Sequence, residues 1–439
     1  MKRITILAFT LSIILLPAAK AQEAWSLRKC IDYAIENNLT VRKAETVVSD
    51  NELDLNTAKW ARLPNLNGSA SQSFNWGRAA SPVDNTYADV NNSNTSLNLS
   101  TNVPLFTGFQ IPNQLQLSKL NLKASIEDLN KVKEDIAVNV SLFYVQVLYT
   151  MELNSVAREQ VKLSREQLDR MTRLHEVGKA SPAEVAEAKA RVAQDEMNAV
   201  QADNNYGLAL LDLSQMLELP SPEGFYIEVP DVEPDFKPIT PPDDIYVGTV
   251  LTKSNIMAAQ YRLEASEKII RIAQSGYMPQ LSFGAGLGSS YYTVNGNATN
   301  GFFKQLDNNL NKYIGFNLSI PIFNRFATRN RVRSARLQQT NYAIQLDEAK
   351  KLLYKEIQQA WYSAVAAEAK YNSSAVAVEA NEESFNLVNE KFENGKATSV
   401  EYNEAKLNLR KAMSDRIQAK YEYIFRTKVL DFYKGIPIE

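Results

Sequence analysis

The stretch Leu97-Asn-Leu-Ser-Thr-Asn-Val-Pro-Leu-Phe-Thr-Gly-Phe109 decides how this chain reads. Leu97, Leu99, Val103 and Leu105 alternate with Asn98, Ser100 and Asn102, the two-residue period of a strand with one wet face. The alternation stops at Pro104 and passes into a helical pattern that continues to about His175. A strand therefore feeds a very long helix. The segment Phe316-Asn-Leu-Ser-Ile-Pro-Ile-Phe-Asn-Arg-Phe326 repeats the device, and Pro104 and Pro321 lie 217 residues apart, so the halves read as copies of one unit.

Working outward, each junction strand has a partner. Over 66–76, Asn67, Ser69, Ser71, Ser73 and Asn75 alternate with Leu66, Ala70, Phe74 and Trp76, and a polar loop (77–94) leads to the second strand at 96–105. In the second copy, Met278-Pro-Gln-Leu281 echoes Leu63-Pro-Asn-Leu66, and strands are expected at 281–291 and 313–321 around another Asn/Gly-rich loop. Strands of about ten residues suit a tilted crossing of a bilayer, and Phe74, Trp76, Tyr291, Tyr292 and Tyr313 stand near strand ends, where such rings form interfacial girdles. A soluble sheet with one wet face is the competing reading of the same alternation.

The helices carry the stronger signal. Residues 27–62 read as helices broken near Asn37-Asn38. Leu115, Leu122, Leu129, Ile136 and Phe143 fall seven apart, as do Ile357, Ala364, Tyr371, Val378, Phe385 and Phe392, the repeat of helices wound around neighbours. At 1.5 Å per residue the first such helix extends on the order of 100 Å. Each ends at a tight turn, Val177-Gly-Lys-Ala-Ser-Pro182 and Asn394-Gly-Lys-Ala-Thr398, and a return helix follows. Gly178 and Gly395 stand where a helix end takes a left-handed residue. Ser181 with Glu184, and Thr398 with Glu401, form capping-box pairs, and Pro182 fits a first helical position. Residues 22–219 and 245–439 are thus two structural repeats, with hairpin tips near 178–181 and 395–398. The Pro-rich segment 220–244 links them, with one short strand expected at 225–229.

Lys2, Arg3, the apolar run Ile4 to Leu16 and Ala19-Lys-Ala21 compose a secretory signal over 1–21. The only cysteine, Cys30, lies past the cleavage site inside a helical pattern, which argues against N-terminal lipidation and for a small core residue. No later stretch is expected to reach the length of a spanning helix, so any membrane crossing is by strands. The formal net charge of -2 excludes a basic nucleic-acid-binding domain. His175, the only histidine, has no ligand partners in motif spacing, so no metal, cofactor or catalytic constellation is expected. Arg325, Arg329, Arg331, Arg333 and Arg336 read as a solvated helix face or a lipid-phosphate contact.

The signal, the internal repeat, the Val103-Pro-Leu-Phe-Thr-Gly and Ile320-Pro-Ile-Phe-Asn junctions and both Gly-x-x-Ser/Thr-x-x-Glu turns resemble the TolC family of outer membrane efflux proteins. The resemblance spans essentially the whole chain after the signal. It implies a homotrimer whose twelve strands, four per chain, close one barrel among outer membrane lipids, continued by a periplasmic α-barrel, with Pro104 and Pro321 at the barrel–helix junctions. It further implies a passive exit duct whose hairpin tips meet a periplasmic adaptor protein and an inner-membrane transporter, in an efflux pump or a type I secretion system. Family members narrow the mouth with acidic rings just after the second turn, and the matching residues are Glu401 and Glu404, expected to repel one another and titrate high. Beside that turn the family's best-known member has a locking tyrosine and arginine, where this chain has Phe392 and Ala397. A periplasmic coiled-coil scaffold is the alternative that keeps the helices and leaves the strands out of lipid.

Overall fold

The computed structural model describes residues 24–80, 86–89, 91–230, 236, 238–295, 298 and 300–438. The segment read as a signal, 1–21, lies outside the described residues. In chain order the elements are α1 (Leu27–Asn37), α2 (Leu39–Trp60), β1 (Asn67–Asn75), β2 (Arg78–Ala80), β3 (Tyr87–Asp89), β4 (Asn92–Phe106), α3 (Gln110–Glu176), α4 (Pro182–Met216), α5 (Pro242–Thr249), α6 (Ser254–Gln274), β5 (Gln280–Val294), α7 (Phe302–Asn308), β6 (Asn311–Ser319), α8 (Ala327–Glu393) and α9 (Ser399–Tyr433). The repeat holds to the residue in the helices. Both α3 and α8 have 67 residues, both α4 and α9 have 35, and each of the second pair starts 217 residues after its counterpart.

The chain separates into two units. One comprises the described residues up to Lys43 with Val132–Thr249 and the chain from Leu353 onward, and the other Ala44–Lys131 with Val250–Leu352. In the second unit β1-β4-β5-β6 form one antiparallel sheet in that order. The register sorts side chains by face. Ala70 pairs with Leu97, Leu99 with Leu287, Val103 with Phe283 and Phe283 with Phe316, whereas Ser71 pairs with Ser96, Asn102 with Gly284 and Ser282 with Asn317. One face is therefore mostly apolar up to Leu97, with Gln72, Ser93, Thr95 and Thr293 beyond it, and the other is mostly hydroxyl, carboxamide and glycine. The only charged residue in these four strands, Lys312, stands opposite Leu287 on the apolar face near the start of β6. Both outer strands, β1 and β6, are exposed along their whole length.

Several boundaries differ from the sequence reading. β4 begins at Asn92 and β5 continues to Val294, because Asn92 to Ser96 have little apolar alternation yet pair along the backbone with Ser290 to Val294. β6 ends at Ser319, two residues short of Pro321. β4 does not stop at Pro104; the ladder carries Pro104 opposite Ser282 and continues to Phe106 after a register irregularity, which is where a strand accommodates a residue without N–H. The strand-to-helix turn comes later, at two consecutive left-handed residues: Gly108 and Phe109 (φ 61° and 66°), and in the second copy Arg325 and Phe326 (φ 55° and 62°). Position 108 has no room for a side chain, since a Cβ there would lie 2.6 Å from Met278 Cβ. The two long loops also hold structure: a short β2–β3 hairpin and α7, whose Gln305 carboxamide accepts from Tyr292 N–H and donates to Tyr292 C=O, each at 2.9 Å, as a strand would.

Helices hung from neighbouring strands meet beneath the sheet. Arg262 of α6 pairs with Asp128 of α3, Lys123 of α3 stacks on Tyr261 of α6, and Ala273, Val332 and Ala335 form a small core with Ile269 and Ile270. In the first unit, Asn38 breaks α1 from α2 and donates to Met216 C=O at 3.0 Å. Cys30 is fully buried, and burial pushes its thiol up to about 12. The expected strand at 225–229 is a single bridge, Ile227 with Trp25, and Tyr144 hydroxyl donates to Glu228 C=O at 2.6 Å across the same join. α3 holds one 18-residue stretch apolar enough to span a membrane by composition, contrary to expectation. Val140, Tyr144, Val147 and Leu148 of that helix are buried in this unit, which accounts for their apolarity.

Candidate functional site

The two hairpin tips belong to the first unit and are built alike. At the end of α3, Gly178 takes φ 70° and donates to His175 C=O, and Lys179 N–H reaches Leu174 C=O at 2.8 Å. At the end of α8, Gly395 takes φ 69° and Lys396 N–H reaches Lys391 C=O at 2.7 Å. A left-handed glycine lets the chain reverse within one turn while satisfying the last helix carbonyls. Both return helices start with complete capping boxes, Ser181 with Glu184 and Thr398 with Glu401, and Pro182 opens α4. The turn between each glycine and its cap, exposed Lys179 with half-buried Ala180 and exposed Lys396 with half-buried Ala397, is thereby fixed from both sides.

Within one chain the cap acts on Glu401 in the direction opposite to the repulsion expected of it around a threefold axis. Its carboxylate accepts Thr398 N–H at 2.7 Å and the Thr398 hydroxyl at 3.0 Å, and these bonds hold it below the usual carboxylate range. Glu184 is lowered in the same way by Ser181. Glu401 and Glu404 are both exposed on α9, and Glu401 belongs to the helix cap before it belongs to any mouth. His175 is engaged by the fold too, its Nδ1 lying 2.8 Å from Ala180 C=O. The position corresponding to His175 in the second tip is Phe392, which stacks on Tyr402 with centroids 4.7 Å apart.

The hairpins are tied together by residues that the sequence reading passed over. Glu187 of α4 accepts from Ser399 Oγ at 3.1 Å and from Asn403 Nδ2 at 2.9 Å, both on α9. Arg170 of α3 lies 3.5 Å from Glu393 of α8. Deeper in, Asp195 of α4, with no exposed side-chain surface, pairs with Arg410 of α9 at 3.2 Å and lies 3.9 Å from Arg191. Lys406 stands in the same neighbourhood, and burial pulls its ammonium down while Asp195 opposes that pull. A cleft of about 50 Å³ between the hairpins is lined by Glu187, Arg191, Phe392, Tyr402, Asn403 and Lys406 among others. One signal was readable. Asp195 interrupts the stripe Ala188, Val192, Ala199, Ala202, and a carboxylate at a core position of a coiled helix needs a partner on the facing helix. Among the described residues no group of three or more His, Cys, Asp or Glu could hold a metal ion.

A sheet that leaves both faces uncovered, apolar on one and wet on the other, joined to two paired long hairpins, defines a chain of a TolC-like outer membrane channel. The model for the outer membrane efflux protein family matches residues 30–218 and 251–431, and the chain belongs to that family. It is 23% identical over 375 residues to outer membrane protein TolC of Escherichia coli (strain K12), covering 84% of this chain and 74% of that protein. It is 20% identical over 379 residues to alkaline protease secretion protein AprF of Pseudomonas aeruginosa, covering 83% and 76%. The fold matches the crystal structure of the Campylobacter jejuni CmeC outer membrane channel with a TM-score of 0.77 at 19% identity, covering 94% of this chain and 86% of that one. The chain is an outer membrane exit duct component, a transport role.

Proposed function

We propose that three copies of this chain close one twelve-stranded barrel in the outer membrane and conduct cargo passively after docking with an adaptor and an inner-membrane transporter. The observation that supports this most is the sheet. Four strands cannot close on themselves, and an open edge in lipid strands backbone groups at several kcal/mol each. Eight strands leave an interior filled by side chains, so three copies are the smallest conducting closure. The wet face, with its Ser and Asn side chains and no charge, is suited to a hydrated wall that does not select by charge.

In this reading Val177, Gly178, Lys179, Ala180, Ser181 and Pro182, with Asn394, Gly395, Lys396, Ala397 and Thr398, are the adaptor-contacting tips. Glu401 and Glu404 constrict the periplasmic mouth. The tyrosine–arginine lock has no counterpart at Phe392 and Ala397, and its work falls to the Glu187–Ser399/Asn403 and Asp195–Arg410 ties. The name of the relative AprF favours protein secretion as a second cargo class. Planar-bilayer recording tests the account: purified protein gives discrete conductance steps, and Glu401→Gln with Glu404→Gln diminishes their sensitivity to divalent cations. Absence of any conductance refutes the duct, and an unchanged cation response refutes the mouth assignment.

A further inference from the structure

The two outermost helices of the sheet-bearing unit each carry a second apolar stripe that none of the described residues covers. α2 leads into β1, one edge of the sheet, and α8 leaves β6, the other edge. At 3.6 residues per turn, Leu53 and Trp60 (65% and 59% exposed) lie opposite the buried and half-buried stripe Val48, Asn51, Leu55 and Ala58 of α2. Leu337 and Ile344 (73% and 51% exposed) likewise lie opposite Val332, Ala335 and Gln339 of α8. In the same unit, the inner helices contrast with this: α6 exposes no large apolar side chain, and the portion of α3 up to Lys131 exposes only Ile126. Charge follows the same division. The Leu53 stripe is flanked by Asp50, Glu52 and Asp54, and the Leu337 stripe by Arg331, Arg333 and Arg336. None of these six makes an ion pair among the described residues.

We infer that α8 of one copy docks along α2 of the next as a charge-registered antiparallel coiled seam, with Leu53 against Leu337 at its centre. The internal repeat supplies the register. Within the chain α3 and α6, hung from the paired strands β4 and β5, touch at Asp128–Arg262 and at Lys123–Tyr261. Moving the α3 residues forward by 217 (Pro104 to Pro321) and the α6 residues back by 215 (Pro279 to Pro64) carries these contacts to Gln345–Val47 and Thr340–Thr46. On antiparallel helices, those two levels bracket Leu53 between Arg333 and Gln339, and Leu337 lies inside the bracket. Handedness then sets the flanks: Glu52 meets the side carrying Arg333 and Arg336, while Asp50 and Asp54 meet the side carrying Arg331. The seam continues the open edges of β1 and β6, and its charges forbid α2 from pairing with α2 or α8 with α8.

This inference rests on the trimer proposed above, and a charge-swap experiment separates the two. Three proteins are purified in detergent beside the parent: Arg331→Glu with Arg333→Glu and Arg336→Glu; Asp50→Lys with Glu52→Lys and Asp54→Lys; and all six changes together. Chains per particle are read by light scattering, and helix content by circular dichroism. Each triple reversal lowers the trimer-to-monomer ratio by at least about tenfold, because like charges at close range repel, and the sixfold variant recovers it. Trimers undiminished in both triple variants overturn the seam. So does a sixfold variant no better than the triples. If the Arg triple stays trimeric but loses co-purified anionic phospholipid, the arginines serve headgroups instead. A parent that is itself a single chain overturns the trimer and the seam together.

Discussion

Replacing Arg410 by methionine isolates the tie between the hairpins. The change keeps most of the aliphatic stem and leaves Asp195, wholly buried, facing Arg191 at 3.9 Å with the Lys406 ammonium nearby. A buried charge robbed of its partner costs about 3–5 kcal/mol. Arg191 remains, and Arg410 itself is 27% exposed, so screening reduces the cost of the change to about 2 kcal/mol. If that energy resists parting of α4 from α9, the equilibrium moves toward parted hairpins by about thirtyfold. Single-channel recording is the assay: Arg410→Met raises conductance or open lifetime, and adding Asp195→Leu removes the stranded charge and returns most of the effect. Conductance unchanged in Arg410→Met, or effects of the two substitutions that simply add, refutes the reasoning.

Other perturbations probe the tips and the junctions. The Glu184 and Glu401 carboxylates are lowered by their caps, so the stability they give is complete above the ordinary carboxylate value and is lost as pH falls through the lower folded value. Amide exchange at the tips, corrected for intrinsic rate, accelerates in acid, and Glu401→Gln removes that transition at the second tip alone. Gly108→Ala forces a Cβ against Met278 in a left-handed conformation and lowers the unfolding temperature, while Arg325→Gly at the matching site of the second copy relieves backbone strain of about 1 kcal/mol and raises it. Gln305→Leu leaves both Tyr292 backbone groups without their carboxamide partner, costs about 1–3 kcal/mol, and shows first as proteolysis near α7.

Legibility in the sequence followed the strength of the periodic signal. The seven-residue repeats and glycine turns place both hairpins, because a helix of 67 residues repeats its pattern many times and its stops are chemically sharp. The strands were placed but not bounded: Asn92 to Ser96 carry no alternation, and only the partner strand tells them they are in a ladder. Pro104 looked like a stop because proline cannot donate, yet a local irregularity in register lets the strand pass through it. α7 was invisible since its seven residues are shorter than any periodic window and are fixed by Gln305 reaching β5. At the tips the capping boxes were legible from spacing alone. The ties through Glu187 and Arg410 were not, because which polar residue faces which depends on how two helices are rotated against each other, and one helix at a time does not state that.

The number of chains in the purified, detergent-solubilised particle tests the central claim most directly. Light scattering with the detergent contribution subtracted is predicted to give three copies of the chain per particle. A particle holding one chain, stable without detergent, contradicts the barrel and the duct built upon it.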